Sequence, residues 1–195
     1  MSKGRFLLLF LITIGILPLN AQTVIPFLDF NNFFQSFEDG GFKVIEMQPI
    51  KSFQAGDELV AYLDTRGNLR VYDGKQRKDI TNLNVSYQVS DHLMGYMIGP
   101  TLNMWDNGRL QTLTYFGRKF VVKDSLIVYD DTRFNTLNVY WKKQTETLAT
   151  IIGEVTIPAS IGEDMIVFKD NGNLYKVFHD GNTQEICAWN GNIDF

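Results

Sequence analysis

An aromatic residue returns at one fixed place in five segments of this chain, and that recurrence constrains the fold more than any other feature. Asp57-Glu58-Leu59-Val60-Ala61-Tyr62-Leu63-Asp64 sets the template. The segments starting at Gln22, Asp91, Asp124 and Glu163 follow it, with spacings of 35, 34, 33 and 39 residues. The sixth position is Phe27, Tyr62, Tyr96, Tyr129 or Phe168, and the third and fourth positions are apolar each time. A period of this length marks a fold assembled from one supersecondary unit.

The repeat continues past the first segment. Leu69-Arg70-Val71-Tyr72, Leu102-Asn103-Met104-Trp105 and Leu137-Asn138-Val139-Tyr140 share one pattern; Phe33 to Phe37 and Leu174 to Phe178 follow it with an extra residue. Asp39-Gly40, Asp73-Gly74, Asn107-Gly108 and Asp180-Gly181 come next, and such pairs suit tight hairpins because those turns need positive φ. The unit starting at 124 has Trp141-Lys142-Lys143 there instead. A third segment carries Ile45, Ile80, Leu113, Leu148 or Ile186. A fourth carries Phe53, Tyr87 or Phe120, each four residues before the next unit. Pro158-Ala159 replaces that aromatic in the unit starting at 124, which predicts an outermost strand there.

Alternation, aromatics and β-branched residues make these segments strands. The expected fold class is all-β: a β-propeller of 33–39-residue four-stranded repeats over 22–195, with about five blades visible. One such sheet cannot bury both faces alone; stacked blades bury them against each other, with the aromatics between. Asn192-Ile193-Asp194-Phe195 aligns with Asn84-Val85-Ser86-Tyr87, which places a further unit just beyond the last residue and predicts a larger ring, truncated here, with a five-bladed ring ending on that strand as the alternative.

Residues 1–21 are of a different kind. Lys3 and Arg5 precede an apolar run from Phe6 to Leu17, with Ala21 at the end. This is the layout of a secretory signal peptide, and the run is shorter than the ~20 residues of a spanning helix. The expected location is extracytoplasmic, periplasmic or secreted, with no membrane span after cleavage. A net charge of −4 argues against nucleic acid as a partner. Cys187, without a partner in the chain, lies in the apolar run Glu185-Ile186-Cys187-Ala188-Trp189 and is expected to be a small buried hydrophobe.

The blade pattern resembles the extracytoplasmic β-propeller repeat proteins of bacteria, of the TolB-like and YVTN-like kind in the broad sense. The cleavage region Leu19-Asn20-Ala21-Gln22 is similar to that of secreted repeat proteins of Bacteroidota. The resemblance covers 22–195 and rests on blade pattern, because WD, kelch and Asp-box signatures are missing.

Catalytic chemistry is scarce. His92 and His179 occupy different places in the repeat, so no metal site is expected from them, and no nucleophile or phosphate-loop motif occurs. Asp29, Asp64, Asp131 and Asp170 recur at the end of the first strand, which predicts a set near one rim. They form an acidic ring open to a ligand, with Ca²⁺ the cation such oxygens suit, or each starts its own turn by accepting backbone N–H groups. Trp141 and Trp189 are the aromatic candidates for stacking on a sugar or anchoring a protein; packing is their alternative role. Lys75-Gln76-Arg77-Lys78 reads as a solvated hairpin. The expected function is a non-catalytic module or scaffold that binds a protein or glycan and needs no cofactor. The alternative is a secreted carbohydrate-active enzyme using rim carboxylates, with Asp130-Asp131 opposite Glu163-Asp164 as the pair.

Overall fold

The computed structural model describes residues 24–151, 160–162 and 164–188. These form nineteen strands in five antiparallel sheets, with no helix. The first sheet holds β1 (Ile25–Leu28), β2 (Phe34–Glu38) and β3 (Gly41–Glu46). The second holds β4 (Ile50–Ala55), β5 (Val60–Asp64), β6 (Leu69–Tyr72) and β7 (Arg77–Thr81). The third holds β8 (Ser86–Ser90), β9 (Leu93–Ile98), β10 (Thr101–Asp106) and β11 (Arg109–Thr114). The fourth holds β12 (Phe120–Lys123), β13 (Leu126–Asp131), β14 (Thr136–Trp141) and β15 (Gln144–Thr150). The fifth holds β16 (Ser160–Gly162), β17 (Met165–Lys169), β18 (Leu174–His179) and β19 (Asn182–Ala188). Each is an up-and-down meander of sequential neighbours, and together they make the expected repeat-built β-propeller.

Sheets and sequence units are out of step by one strand. The unit starting at 57 contains β5, β6, β7 and β8, yet β8 hydrogen-bonds to β9 in the third sheet. Each four-stranded sheet therefore opens with the last strand of the preceding unit. Those opening strands form the inner edge, where β8 packs against both β4 and β12. Pro158 and Ala159 lie outside the described residues; β16, which follows them, is an edge strand on this inner side.

Bare strand edges invite unwanted pairing, and two glutamines one period apart satisfy them here. The Gln54 side chain donates to the Tyr87 carbonyl at 3.1 Å and accepts from Val89 N–H at 3.1 Å. Gln88 repeats this on Phe120 (3.3 Å) and Val122 (2.9 Å). Each amide acts as a short length of strand joining one inner edge to the next. Each sheet also carries a register shift between its third and fourth strands, or their counterparts β2 and β3, and the second sheet has another between β4 and β5. Such bulges increase local twist.

The core lies between sheets. Val24, Phe34 and Ile45 meet Val60, Tyr62 and Tyr72; Leu59, Ala61, Leu69 and Val71 meet Met94, Tyr96 and Trp105. Leu93, Leu102 and Met104 meet Ile127, Tyr129 and Tyr140; Leu126, Val128, Leu137 and Val139 meet Ile166, Phe168 and Phe178. The repeated aromatics Tyr62, Tyr96, Tyr129 and Phe168 are thus seam residues, as the repeat predicts, while Phe27 in the first sheet is half-buried and packs on Phe42. Hairpin ends reinforce the seams through Glu58 N–H to the Asp91 carbonyl (3.2 Å), Asp124 N–H to Ser90 Oγ (2.7 Å) and Ser125 N–H to Asp164 Oδ1 (3.2 Å).

Two expectations change. Cys187 is exposed, not buried: β19 is the outer strand of its sheet among the described residues. The Lys142-Lys143 hairpin keeps the tight turn despite lacking Asn-Gly, because both lysines adopt positive φ, +42° and +66°.

Candidate functional site

Alternate loops share a rim in an up-and-down sheet. The hairpins β4–β5, β6–β7, β8–β9, β10–β11, β12–β13, β14–β15, β16–β17 and β18–β19 line the first rim, and the β1–β2, β5–β6, β9–β10, β13–β14 and β17–β18 loops line the second. Asp29, Asp64, Asp131 and Asp170 all stand on the second rim. Each carboxylate caps its own turn. Asp29 accepts from Asn31 and Phe33 N–H, both at 2.8 Å. Asp64 accepts from Arg66 (2.8 Å) and Asn68 (2.9 Å), and Asp170 from Gly172 (2.8 Å) and Leu174 (3.0 Å). Asp131 accepts from Arg133 (2.9 Å) and from Thr114 Oγ1 at 2.6 Å. The Lys176 ammonium, 2.7 Å away, and these turn N–H groups hold Asp170 below the usual carboxylate range. For Asp64, burial opposes ionisation, but the Asn68 and Arg66 bonds and the Arg70 charge outweigh it and lower the pKa.

Asp131 and Asp164 do not face each other. Asp164 bonds Ser125 at the start of β13, and Asp131 ends that strand, so the two lie on opposite rims, roughly 17 Å apart along six extended residues. A glycosidase pair needs about 5–10 Å. Glu163 and Trp189 lie outside the described residues. Trp141 is half-buried on the first rim, edge-on to Phe178 of the next sheet at 5.8 Å, with Lys142 Nζ 4.4 Å from its ring centre. A Cβ at Gly181 would come within 2.7 Å of its ring, so this Trp is wedged into a seam.

The first rim carries an arrangement the repeat did not announce. Tyr140 donates to Asp106 Oδ2 at 2.7 Å across the seam between the third and fourth sheets. Tyr72 donates to Glu38 between the first and second. Both pairs are 34 residues apart and occupy the same two positions of the repeat. Glu38 is held below the usual carboxylate range: burial opposes ionisation, but the Tyr72, Ser36 and Lys43 contacts prevail. Burial first, then the hydrogen-bonded carboxylate, pushes both phenols far up.

Between these two clasps the third is missing. Trp105 stands at the tyrosine position and Asp73 at the acid position. Asp73 instead caps its own turn through Lys75 and Gln76 N–H, at 3.0 and 2.8 Å. Trp105 is 1% exposed, and its indole N–H is buried without a partner. A cleft of about 270 Å³ opens at this seam, lined by Glu58, Leu59, Asp73, Lys75, His92, Trp105 and Asn107. Two acceptor carboxylates, an ammonium, an imidazole and an amide thus surround one buried indole. His92 Nε2 lies 3.7 Å from Asp106 Oδ1, at the edge of the neighbouring clasp. In the sequence, Lys75 reads as part of a solvated hairpin and His92 as a histidine with no metal site. The available signal was the acid–tyrosine spacing of one period, kept by Glu38 and Tyr72 and by Asp106 and Tyr140 and broken at Asp73 and Trp105, where the acid remains but the hydroxyl is lost.

Nearer the inner edge, burial and then the charges of Asp57 and Asp124 raise the Asp91 pKa. Among the described residues, no three His, Cys, Asp or Glu side chains are placed to share a metal ion.

Residues 18–195 match the 10-bladed beta propeller domain. The chain belongs to that family. The match spans all five sheets. Among solved structures, Hsv2p of Kluyveromyces lactis is similar at 15% identity and a TM-score of 0.50, over 82% of this chain and 58% of that one. The computationally designed Ika8 protein gives 16%, 0.42, 87% and 62%, and human WBSCR16 gives 9%, 0.46, 80% and 59%. The chain therefore spans about three fifths of the length of these structures. No curated protein matches it.

Proposed function

We propose that this chain is a non-catalytic propeller module that binds a protein or glycan ligand outside the cytoplasm, and that the seam cleft favours the glycan. The observation that carries this is the missing clasp. At the seam between the second and third sheets, Glu58, Asp73, Lys75, His92 and Asn107 line a cleft that also holds Trp105, whose indole N–H is buried and unpaired. A sugar hydroxyl both donates and accepts, so a lining that mixes carboxylates with an ammonium, an imidazole and an amide suits a polyol better than a single charge. The cleft is at the small end of ligand pockets, the size of one or two sugar rings.

The separation of Asp131 from Asp164 speaks for binding rather than hydrolysis. The secretory layout of residues 1–21 supports an extracytoplasmic site of action, and the leader's resemblance to those of Bacteroidota supports a bacterial envelope. The test is titration of the purified protein with a panel of defined oligosaccharides, followed by tryptophan fluorescence, alongside reducing-sugar release. Saturable binding lost in Lys75→Ala and His92→Ala, with no sugar released, is the expected result. Equal binding by both variants overturns the cleft as the site, and sustained hydrolysis overturns the non-catalytic role.

A further inference from the structure

On the second rim, the connection between the third and fourth sheets is tied down at many points. The 115–119 stretch from β11 to β12 lies against the β13–β14 loop. Thr132 donates to the Phe116 carbonyl through both its N–H and its Oγ1, each at 2.8 Å. Asp130 Oδ1 accepts from the N–H groups of Arg118 (2.7 Å) and Lys119 (2.8 Å). Gly117 N–H reaches the Pro100 carbonyl of the β9–β10 turn at 2.8 Å. Three loops thus form one platform.

The side chains it presents are aromatic and cationic. Tyr115 is 65% exposed, Phe134 64% and Phe116 41%. Arg133 Cζ stands 5.5 Å from the centre of the Phe116 ring and 5.3 Å from that of Phe134, so two rings hold the guanidinium. Among the described residues, the ion pairs of arginine belong to Arg70, Arg77 and Arg118; Arg133 has none. Its planar fork of donors is positioned and unpaired, and such a fork meets a carboxylate through two parallel bonds. Tyrosine and arginine are also among the residues that carry most of the energy at protein interfaces.

We infer that this platform docks an extended peptide segment of a partner protein, with an acidic side chain of the segment on Arg133 and a neighbouring apolar one on Phe134 and Tyr115. The groups that would read sugar hydroxyls already serve the platform itself: Thr132 Oγ1 bonds Phe116, Asp130 bonds Arg118 and Lys119, and Asp131 bonds Thr114 and the Arg133 N–H. An anionic bilayer would meet Asp29, Asp64, Asp131 and Asp170 on the same rim, whereas one acidic side chain can reach Arg133 alone. Sheets stack through their faces, so the number of sheets in the ring does not cover this rim. The seam cleft opens on the other rim, and the two sites stand or fall separately.

A phage library of short random linear peptides, selected on the full chain with Arg133→Ala as counter-selection, tests this. Sequences that place Asp or Glu beside an aromatic or branched aliphatic residue are expected. In fluorescence polarisation, a labelled peptide of that set should bind the wild type at least about tenfold more tightly than Arg133→Ala or Phe134→Ala. Both replaced side chains are exposed, so both variants keep the wild-type circular dichroism. A selection that enriches no acidic sequence overturns the inference, as does peptide binding undiminished in Arg133→Ala. Sedimentation with phosphatidylserine vesicles that is lost in Arg133→Ala, in place of peptide binding, also overturns it.

Discussion

Tyr140 and Asp106 form a hydrogen-bonded pair, 2.7 Å long, that bolts the fourth sheet to the third on the first rim. The carboxylate also accepts from its neighbour Asn107 at 3.1 Å, and Asp106 is buried. Truncating the phenol leaves a buried charge short of its strongest partner. Tyr140→Phe should lower stability by about 1–3 kcal/mol. In urea denaturation this shifts the midpoint at an unchanged slope. A cycle with Asp106→Asn should return a coupling of similar size, and additivity would show that the pair does not act as a unit.

The backbone of Asp91 fills the space where a side chain at Gly56 would go. A Cβ there would sit 2.3 Å from the Asp91 nitrogen and oxygen. These atoms belong to the hairpin that accepts from Glu58 across the seam. Gly56→Ala should therefore push the second and third sheets apart and cost about 3 kcal/mol. Thermal unfolding measures the loss directly.

Lys143 is held at φ +66° in a turn whose relatives use glycine. Lys143→Gly removes that backbone strain and should raise stability by about 1 kcal/mol. A fall in the urea midpoint would show that the lysine contributes something beyond its place in the turn.

Alkaline pH should weaken the fold. Burial, with the nearby Asp131 charge adding to it, pushes the Tyr129 phenol from its ordinary value of 10 up to about 12. The folded state therefore favours the neutral phenol. That contribution is complete below pH 10 and disappears between pH 10 and 12, with up to about 3 kcal/mol at stake. The urea midpoint of the wild type should fall across this window, and that of Tyr129→Phe should fall less.

The second-rim carboxylates act on their own turns. Asp64→Ala or Asp170→Ala should cost about 1 kcal/mol each, as for loss of a side-chain cap. The melting temperature should be the same in millimolar Ca²⁺ and in EGTA. A Ca²⁺-dependent rise abolished by Asp64→Ala would identify a cation site that turn capping conceals.

The repeat was legible because its signal is local: an apolar pair and an aromatic two or three residues on, in the same frame each time. Tyr62, Tyr96, Tyr129 and Phe168 are all buried at seams as that frame requires. The phase of the sheets was not legible. Whether β8 pairs with β7 or β9 depends on which connection folds back as a hairpin, and both connections are short. Cys187 misled because an apolar run on an outer strand reads like one in the core. The cleft was hidden for another reason. Trp105 fits the aromatic position of the template as Tyr140 does, and its missing hydroxyl matters only because an acid, Asp73, stands one period earlier as Asp106 does for Tyr140. Gln54 and Gln88 escaped notice in the same way, since their importance lies in reaching a strand one period ahead.

The one-strand offset between unit and sheet has an evolutionary corollary. Copying any stretch one period long, wherever the cut falls, regenerates a complete sheet with both of its junctions, because the copied tail supplies the opening strand of whatever follows. A gene of this kind can therefore lengthen in whole-blade steps without inventing a new interface. The glutamine staples, the acid–tyrosine clasps and the seam triads travel with each copy, and single substitutions such as tryptophan for tyrosine at 105 can then make one seam unlike its neighbours.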